Sequence, residues 1–216
     1  MSLTNFLARQ TQIKTYTPKH DATGFFLQET LRFISIAGSL KYSNINLNLS
    51  ATVDDRYFSH ILLRSLLENY FTNIWLFDDL TLTSKKYNKV LEGFAHDYIK
   101  LINDLNGNPT WKPFLTGAGS KLEPLSSLTV SGIKGMPVSS MLANMKRYAG
   151  ARPDYLYPLY RITSFDVHGR SLSNVMEASF NKTGLVFPIL DVDTAIDAIA
   201  VDYENVLDDL INNSLI

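Results

Sequence analysis

From Ile61 to Phe77 the chain reads Ile-Leu-Leu-Arg-Ser-Leu-Leu-Glu-Asn-Tyr-Phe-Thr-Asn-Ile-Trp-Leu-Phe, apolar on nearly every side of a helix. A helix that is apolar all round has to be covered all round, so this segment needs neighbours on every side and forms the centre of the fold. The helix is expected to begin near Thr52, with Asp54 and Asp55 in its first turn, where carboxylates complement the positive end of the helix dipole. Arg64 and Glu68 interrupt the apolar run, four residues apart on one face. Buried charges are costly unless partnered, so the pair is either a clasp between helices or a set of groups turned into a polar site.

Helical spacing recurs on both sides of this segment. Phe26, Leu27, Leu31, Ile34 and Leu40 share a face after an N-cap at Asp21 or Thr23. Tyr87, Val90, Leu91, Phe94, Tyr98, Leu101, Ile102 and Leu105 predict a helix that Thr83 caps and Gly107 ends. Val138–Tyr148 suits a short helix. Pro153 or Pro158 opens another, carrying Leu159, Tyr160, Ile162, Phe165 and Val167 up to Gly169. Val186-Phe187-Pro188-Ile189 reads as extended, and a final helix follows Asp191 or Asp193 with Ile196, Ile199, Tyr203, Val206, Leu207 and Leu210 on one face. Pro109, Pro113 and Pro124 with Gly117, Gly119, Gly132 and Gly135 break residues 108–135 into an irregular insertion, with a possible short strand pair near Leu128–Ile133. The expected architecture is all-α: a bundle of five to seven helices over residues 21–216, with a Pro/Gly-rich insertion at 108–135 and an N-terminal arm, residues 1–20, that lies against the body or hangs free.

Composition narrows the chemistry. With 216 residues, 45% hydrophobic and a net charge of −1, the chain can build one sizeable core. No apolar run approaches the ~20 residues of a membrane span, and no secretory signal is visible in the first 20 residues. The absence of cysteine removes disulfides, thiol nucleophiles and zinc ribbons, and fits a reducing cytoplasm. Charge is unevenly spread. Lys146, Arg147, Arg152, Arg161 and Arg170 stand against Asp154 and Asp166, a local balance of +3, whereas no basic residue follows Lys182 and the last helix is rich in aspartate.

Among the four histidines, Glu92 and His96 have a spacing that could hold a metal. A di-metal bundle site, however, needs Glu-x-x-His twice plus two further glutamates, and the sequence lacks them. His20 precedes the first helix, and His60 is expected to be hydrogen-bonded or half-exposed. Phosphate-loop, dinucleotide-turn and nucleophile-elbow motifs are absent, and Gly117-Ala118-Gly119-Ser120 is a flexible patch rather than an anion nest. No metal or cofactor is expected.

The strongest local pattern is Arg161-Ile162-Thr163-Ser164-Phe165-Asp166-Val167-His168-Gly169. Seven residues of helix turn through about 700° and rise ~10 Å, so Arg161 and His168 share a face, with Ser164 between them and Ile162 and Phe165 directed into packing. An arginine fork binds phosphate and a histidine exchanges protons near neutral pH. The stripe therefore suits a phosphodiester lying across the helix. It equally suits a capping histidine beside a surface arginine.

Arg-x6-His late in a small all-α chain, with Leu63-Arg64-Ser65-Leu66-Leu67-Glu68 before it and Val167-His168-Gly169 closing it, resembles the HEPN superfamily (higher eukaryotes and prokaryotes nucleotide-binding domains) and an uncharacterised bacterial group related to it. The resemblance covers roughly residues 22–212 through fewer than ten motif positions. It implies a metal-independent endoribonuclease of toxin or phage-defence type, acting as a homodimer on RNA and held in check by an antitoxin or regulatory protein. His168 would serve as general acid/base at the ribose 2′-hydroxyl and Arg161 would stabilise the phosphorane; Arg64, Glu68 and Ser164 would support the site. Ile162 stands where active members often carry a polar residue. Some members are noncatalytic helical modules that bind a nucleotide or a partner protein, and that is the alternative the resemblance implies.

Overall fold

A computed structural model of the chain describes residues 3–117, 122–146, 151–168, 172–181 and 190–216. It is all-helical, with no strand among the described residues. In chain order the helices are α1 (Leu3–Ala8), α2 (Gln10–Thr15), α3 (Ala22–Lys41), α4 (Val53–Phe77), α5 (Thr83–Gly107), α6 (Lys112–Thr116), α7 (Val138–Ala143), α8 (Ala151–Val167), α9 (Leu172–Phe180) and α10 (Val192–Asn212).

The apolar segment is the core of α4, which packs against α3, α5, α7, α8 and α10. Leu63, Leu67, Tyr70, Phe71, Ile74 and Leu76 are fully buried. Both ends of α4 are capped. Thr52 Oγ1 accepts from the Asp55 amide at 3.1 Å, while the Asp55 carboxylate accepts from the Thr52 amide at 3.3 Å, a reciprocal capping box. At the far end, Lys86 Nζ donates to the Trp75 carbonyl at 2.6 Å and Thr83 Oγ1 to the Leu76 carbonyl at 3.2 Å. Two carbonyls that have no partner within the helix are thereby satisfied. Burial pulls the Lys86 pKa below its ordinary value, against the opposing pull of Asp78 and Asp79.

Asp21 caps α3 and Asp191 caps α10, each side chain accepting an amide hydrogen three residues on. Tyr203 of α10 stacks edge-on with Phe26 and Phe33 of α3 at 5.7 and 5.1 Å between ring centroids. Its neighbourhood also carries polar links to α4: Tyr70 donates to Asp202 at 2.7 Å and Asn73 to the Tyr203 hydroxyl at 3.1 Å.

Several expectations need correction. Residues 3–15 form two short helices whose Leu3, Phe6 and Ile13 enter the core, and the Leu3 amide donates to Asp197 at 2.8 Å. The strand pair near Leu128–Ile133 does not form. That stretch instead runs close along α5, where a Cβ on Gly132 would lie 2.5 Å from Ile99 Cδ1, and Gly93 and Gly135 touch backbone to backbone. Pro158 lies inside α8 rather than opening it. It removes one helix hydrogen bond, but Leu156 and Leu159 on either side are buried and packing carries the helix through.

On α5 the buried stripe passes through Lys86, Val90, Gly93, Ala95 and Ile102, leaving Phe94 and Leu101 about half exposed, at 51% and 46%. Gly93 admits the crossing backbone at Gly135 where large residues were expected to pack, and Thr83 opens the helix rather than capping it, Leu82 holding the cap position. The helix at 138 stops at Ala143. Helix α9 was not foreseen, although Leu172, Val175, Met176 and Phe180 recur at three- and four-residue spacing. Val186–Ile189, Gly169 and the Ala118–Ser120 part of the Gly/Ser patch lie outside the described residues. No helix among the described residues is long and apolar enough to cross a membrane.

Leu67 is fully buried in the core, whereas Thr52 serves one helix end. Leu67→Ala should therefore lower the unfolding free energy by about 3–5 kcal/mol and Thr52→Ala by about 1 kcal/mol, as measured by urea titration of the helical circular-dichroism signal.

Candidate functional site

Helix α8 divides its faces by period. Leu156, Leu159, Thr163 and Asp166, three or four apart, are buried. Arg161, Ser164, Phe165 and His168 lie on the other side and, with Arg64 of α4, line an open cleft of ≈ 560 Å³. Four of the five residues picked from the sequence (Arg161, His168, Arg64 and Ser164) thus meet at one opening. Phe165 was expected to pack inward. It is instead 36% exposed and joins the lining, because Asp166 takes the inward position.

Arg64 is held on three sides. Its Nε donates to Ser164 Oγ at 2.9 Å, its Nη1 donates to Glu68 at 3.0 Å, and its guanidinium lies 3.6 Å from the centre of the Tyr160 ring. Ser164 in turn donates to the Tyr160 carbonyl at 2.7 Å. Tyr160 is itself wedged between Phe71 and Tyr157, with centroids at 5.7 and 5.9 Å, and burial raises its pKa against the opposing pull of Arg64. Arg64 therefore ties α4 to α8 and borders the cleft. Glu68 is not brought into that cleft; it turns to a separate cavity between α3, α4, α5 and α7. Arg161 and His168 are exposed.

One turn before Arg64, His60 is 1% exposed and its Nδ1 lies 2.7 Å from Asp166, which is 5% exposed. The sequence allowed a hydrogen bond for His60 but not full burial, and it singled out Asp166 only as a charge. The readable signal was spacing: His60 and Arg64 are four apart on α4, and Asp166 stands two residues before His168. Burial pulls the His60 pKa below 6.5, outweighing the upward influence of Asp166. Its Nε2 is buried and has no hydrogen-bond partner among the described residues. The imidazole is therefore neutral at pH 7, and Nδ1 carries the proton toward the carboxylate.

The remaining sequence leads do not assemble. Glu92 and His96 are half-buried, and no group of three or more His, Cys, Asp or Glu side chains among the described residues is placed to hold a metal. His20 is exposed. In the basic stretch Lys146 and Arg161 are exposed, while Arg147, Arg170 and the side chain of Arg152 lie outside the described residues. The aspartates of α10 do not form a free acidic face: Asp193 pairs with Lys41 at 2.7 Å, Asp208 with Arg9 at 2.6 Å, and Asp202 is buried. Comparison with known proteins finds no matching family model, no matching curated protein and no matching solved structure.

Because His60 resists protonation in the folded chain but not in the unfolded one, its contribution to stability is complete above pH 6.5 and declines as pH falls below that value toward its lowered folded pKa. Urea midpoints at pH 7.0 and 5.5 should show this decline in the parent chain and a smaller one in His60→Gln, which keeps a donor for Asp166 but does not titrate.

Proposed function

We propose that the Arg161–Ser164–Phe165–His168 face of α8, completed by Arg64, binds an RNA phosphodiester and cleaves it without a metal, in a homodimer of toxin or defence type. One observation carries this: two guanidiniums and an imidazole, drawn from two helices, converge on one open cleft. One anchored guanidinium and one exposed one suit a phosphate, and an exposed aromatic ring suits a base stacked beside it. The architecture behind the site reads as a bundle of five to seven helices, with 108–135 as an insertion whose Gly132 and Gly135 pass close to α5.

In the proposed step His168 removes the proton from the ribose 2′-hydroxyl. The 2′-oxygen attacks the adjacent phosphorus, the bond to the 5′-oxygen breaks, and a 2′,3′-cyclic phosphate forms. The departing 5′-oxygen takes a proton from solvent. Arg161, exposed at the cleft, neutralises charge on the non-bridging oxygens as it builds. Arg64, already anchored, sets the position of the phosphate. The internal nucleophile supplies much of the rate advantage, so one histidine and one arginine suffice. A regulatory or antitoxin protein would act by covering this cleft.

A second reading, binding of RNA or a nucleotide without cleavage, draws support from Ile162, which is half-buried and leaves His168 as the one proton-transfer group among the cleft-lining residues.

Single-stranded RNA incubated with the protein in EDTA should yield cyclic-phosphate ends. His168→Ala should lower the rate by about 10²–10⁴-fold with an unchanged melting curve, and Arg161→Ala should reduce kcat more than it raises KM. Cleavage that survives His168→Ala, or that EDTA abolishes, overturns the mechanism. Saturable RNA binding without cleavage establishes the second reading instead.

A further inference from the structure

The second cavity, of ≈ 380 Å³, lies between α3, α4, α5 and the segment leading into α7. It exists because Gly93 and Gly135 touch: a Cβ on Gly93 would stand 3.0 Å from Gly135 Cα. That contact draws residues 135–138 over α5, and Val138 and Met141 then roof a space floored by α4. Its walls are apolar and soft, from Phe25, Trp75, Phe94, Met136 and Met141, with the Phe25 and Phe94 rings 5.8 Å apart.

The polar lining is lopsided. Glu68 and Asp97 are exposed carboxylates, Lys89 is the one cation among the lining residues, and Asn69 is tied at 2.6 Å to the nearly buried Glu29. Glu29 already has Arg32 at 2.8 Å as its counter-ion. The formal charge of the lining side chains is thus −1, from Glu68, Asp97 and Lys89. Aromatic faces add to the attraction for a cation. The volume falls within the range of small-molecule sites, about 300–1,000 Å³.

We propose that this cavity binds a small amphiphilic amine, its ring among Phe25, Trp75 and the methionines and its ammonium at Glu68 and Asp97. Glu68 also holds Arg64, so the two ligands compete for one carboxylate: an ammonium at Glu68 releases the Arg64 Nη1. Binding here and the freedom of Arg64 are therefore linked in both directions. The consequence for RNA rests on the function proposed above; the binding itself does not.

The test uses 2-phenylethylamine, with 2-phenylethanol and phenylacetate as neutral and anionic counterparts. The chain has two tryptophans, and Trp111 lies on the surface away from the cavity, so a Trp111→Phe background makes the fluorescence at 295 nm excitation report on Trp75 alone. The expected result is saturable change with the amine, weakened about fivefold by Glu68→Gln and by Asp97→Asn at unchanged melting temperature. Arg64→Ala, which leaves Glu68 without its partner, should tighten binding by a similar factor. A flat titration to about 5 mM amine, phenylacetate binding as well as the amine, or indifference to both carboxylate variants overturns the proposal. None of these readouts involves RNA, so failure here leaves the cleavage reading standing, and failure of cleavage leaves this site standing.

Discussion

The seam between α4 and α8 is the constraint on which the molecule depends. α4 is covered on most of its sides, Ser65 and Glu68 being exposed, and α8 supplies the cover over the face that carries His60, Arg64 and Phe71. That face is not purely apolar. His60 meets Asp166 at 2.7 Å in a place where both are nearly inaccessible, and Arg64 meets Ser164 one turn along. A one-residue slip of α8 would break both links. An unpaired buried carboxylate costs about 3–5 kcal/mol once its partner is gone, so the polar pairs select one register where apolar packing alone would tolerate several.

That register also decides what faces outward. With Asp166 and Thr163 locked inward, the helical period puts Arg161, Ser164, Phe165 and His168 on the far side, around the end of Arg64. The open cleft is therefore a consequence of the buried seam, and a change to the seam alters the cleft as well. Arg64 belongs to both: its stem and ring stack support the seam, and its edge borders the cleft. Arg161 differs in kind, since it is exposed and forms no ion pair among the described residues. One arginine is preset and the other is free to follow a ligand.

The central helix, its start at Thr52 and the terminal helix were legible because each rests on a strong local rule: all-round apolarity, a Thr-Val-Asp-Asp start, an aspartate before a periodic run. The face shared by Arg161, Ser164 and His168 was legible from period alone. Burial of His60 was not, because histidine is ambivalent and its partner lies 106 residues away. The outward turn of Phe165 was missed for the same reason. Hydrophobicity argues inward for Phe and outward for Asp, and a tertiary hydrogen bond reversed both. The strand expectation at 128–133 failed because glycines that suggest a bulge or turn here serve close passage over α5.

Glu68 shows how a weak interaction can still matter. Its side chain is 60% exposed while that of Arg64 is 13% exposed, so the pair is an asymmetric one, with a solvated carboxylate leaning on a largely sheltered cation. Such a contact adds little to stability. Arg64 has two further holds besides Glu68, the Ser164 hydroxyl at 2.9 Å and the Tyr160 ring at 3.6 Å, so its place on the seam does not rest on the ion pair alone. A carboxylate that is dispensable to the fold, bonded to a residue of one opening and bordering another, can respond to what occupies either. The strong contacts of the seam hold the geometry, and the weak one at its edge is left free to vary.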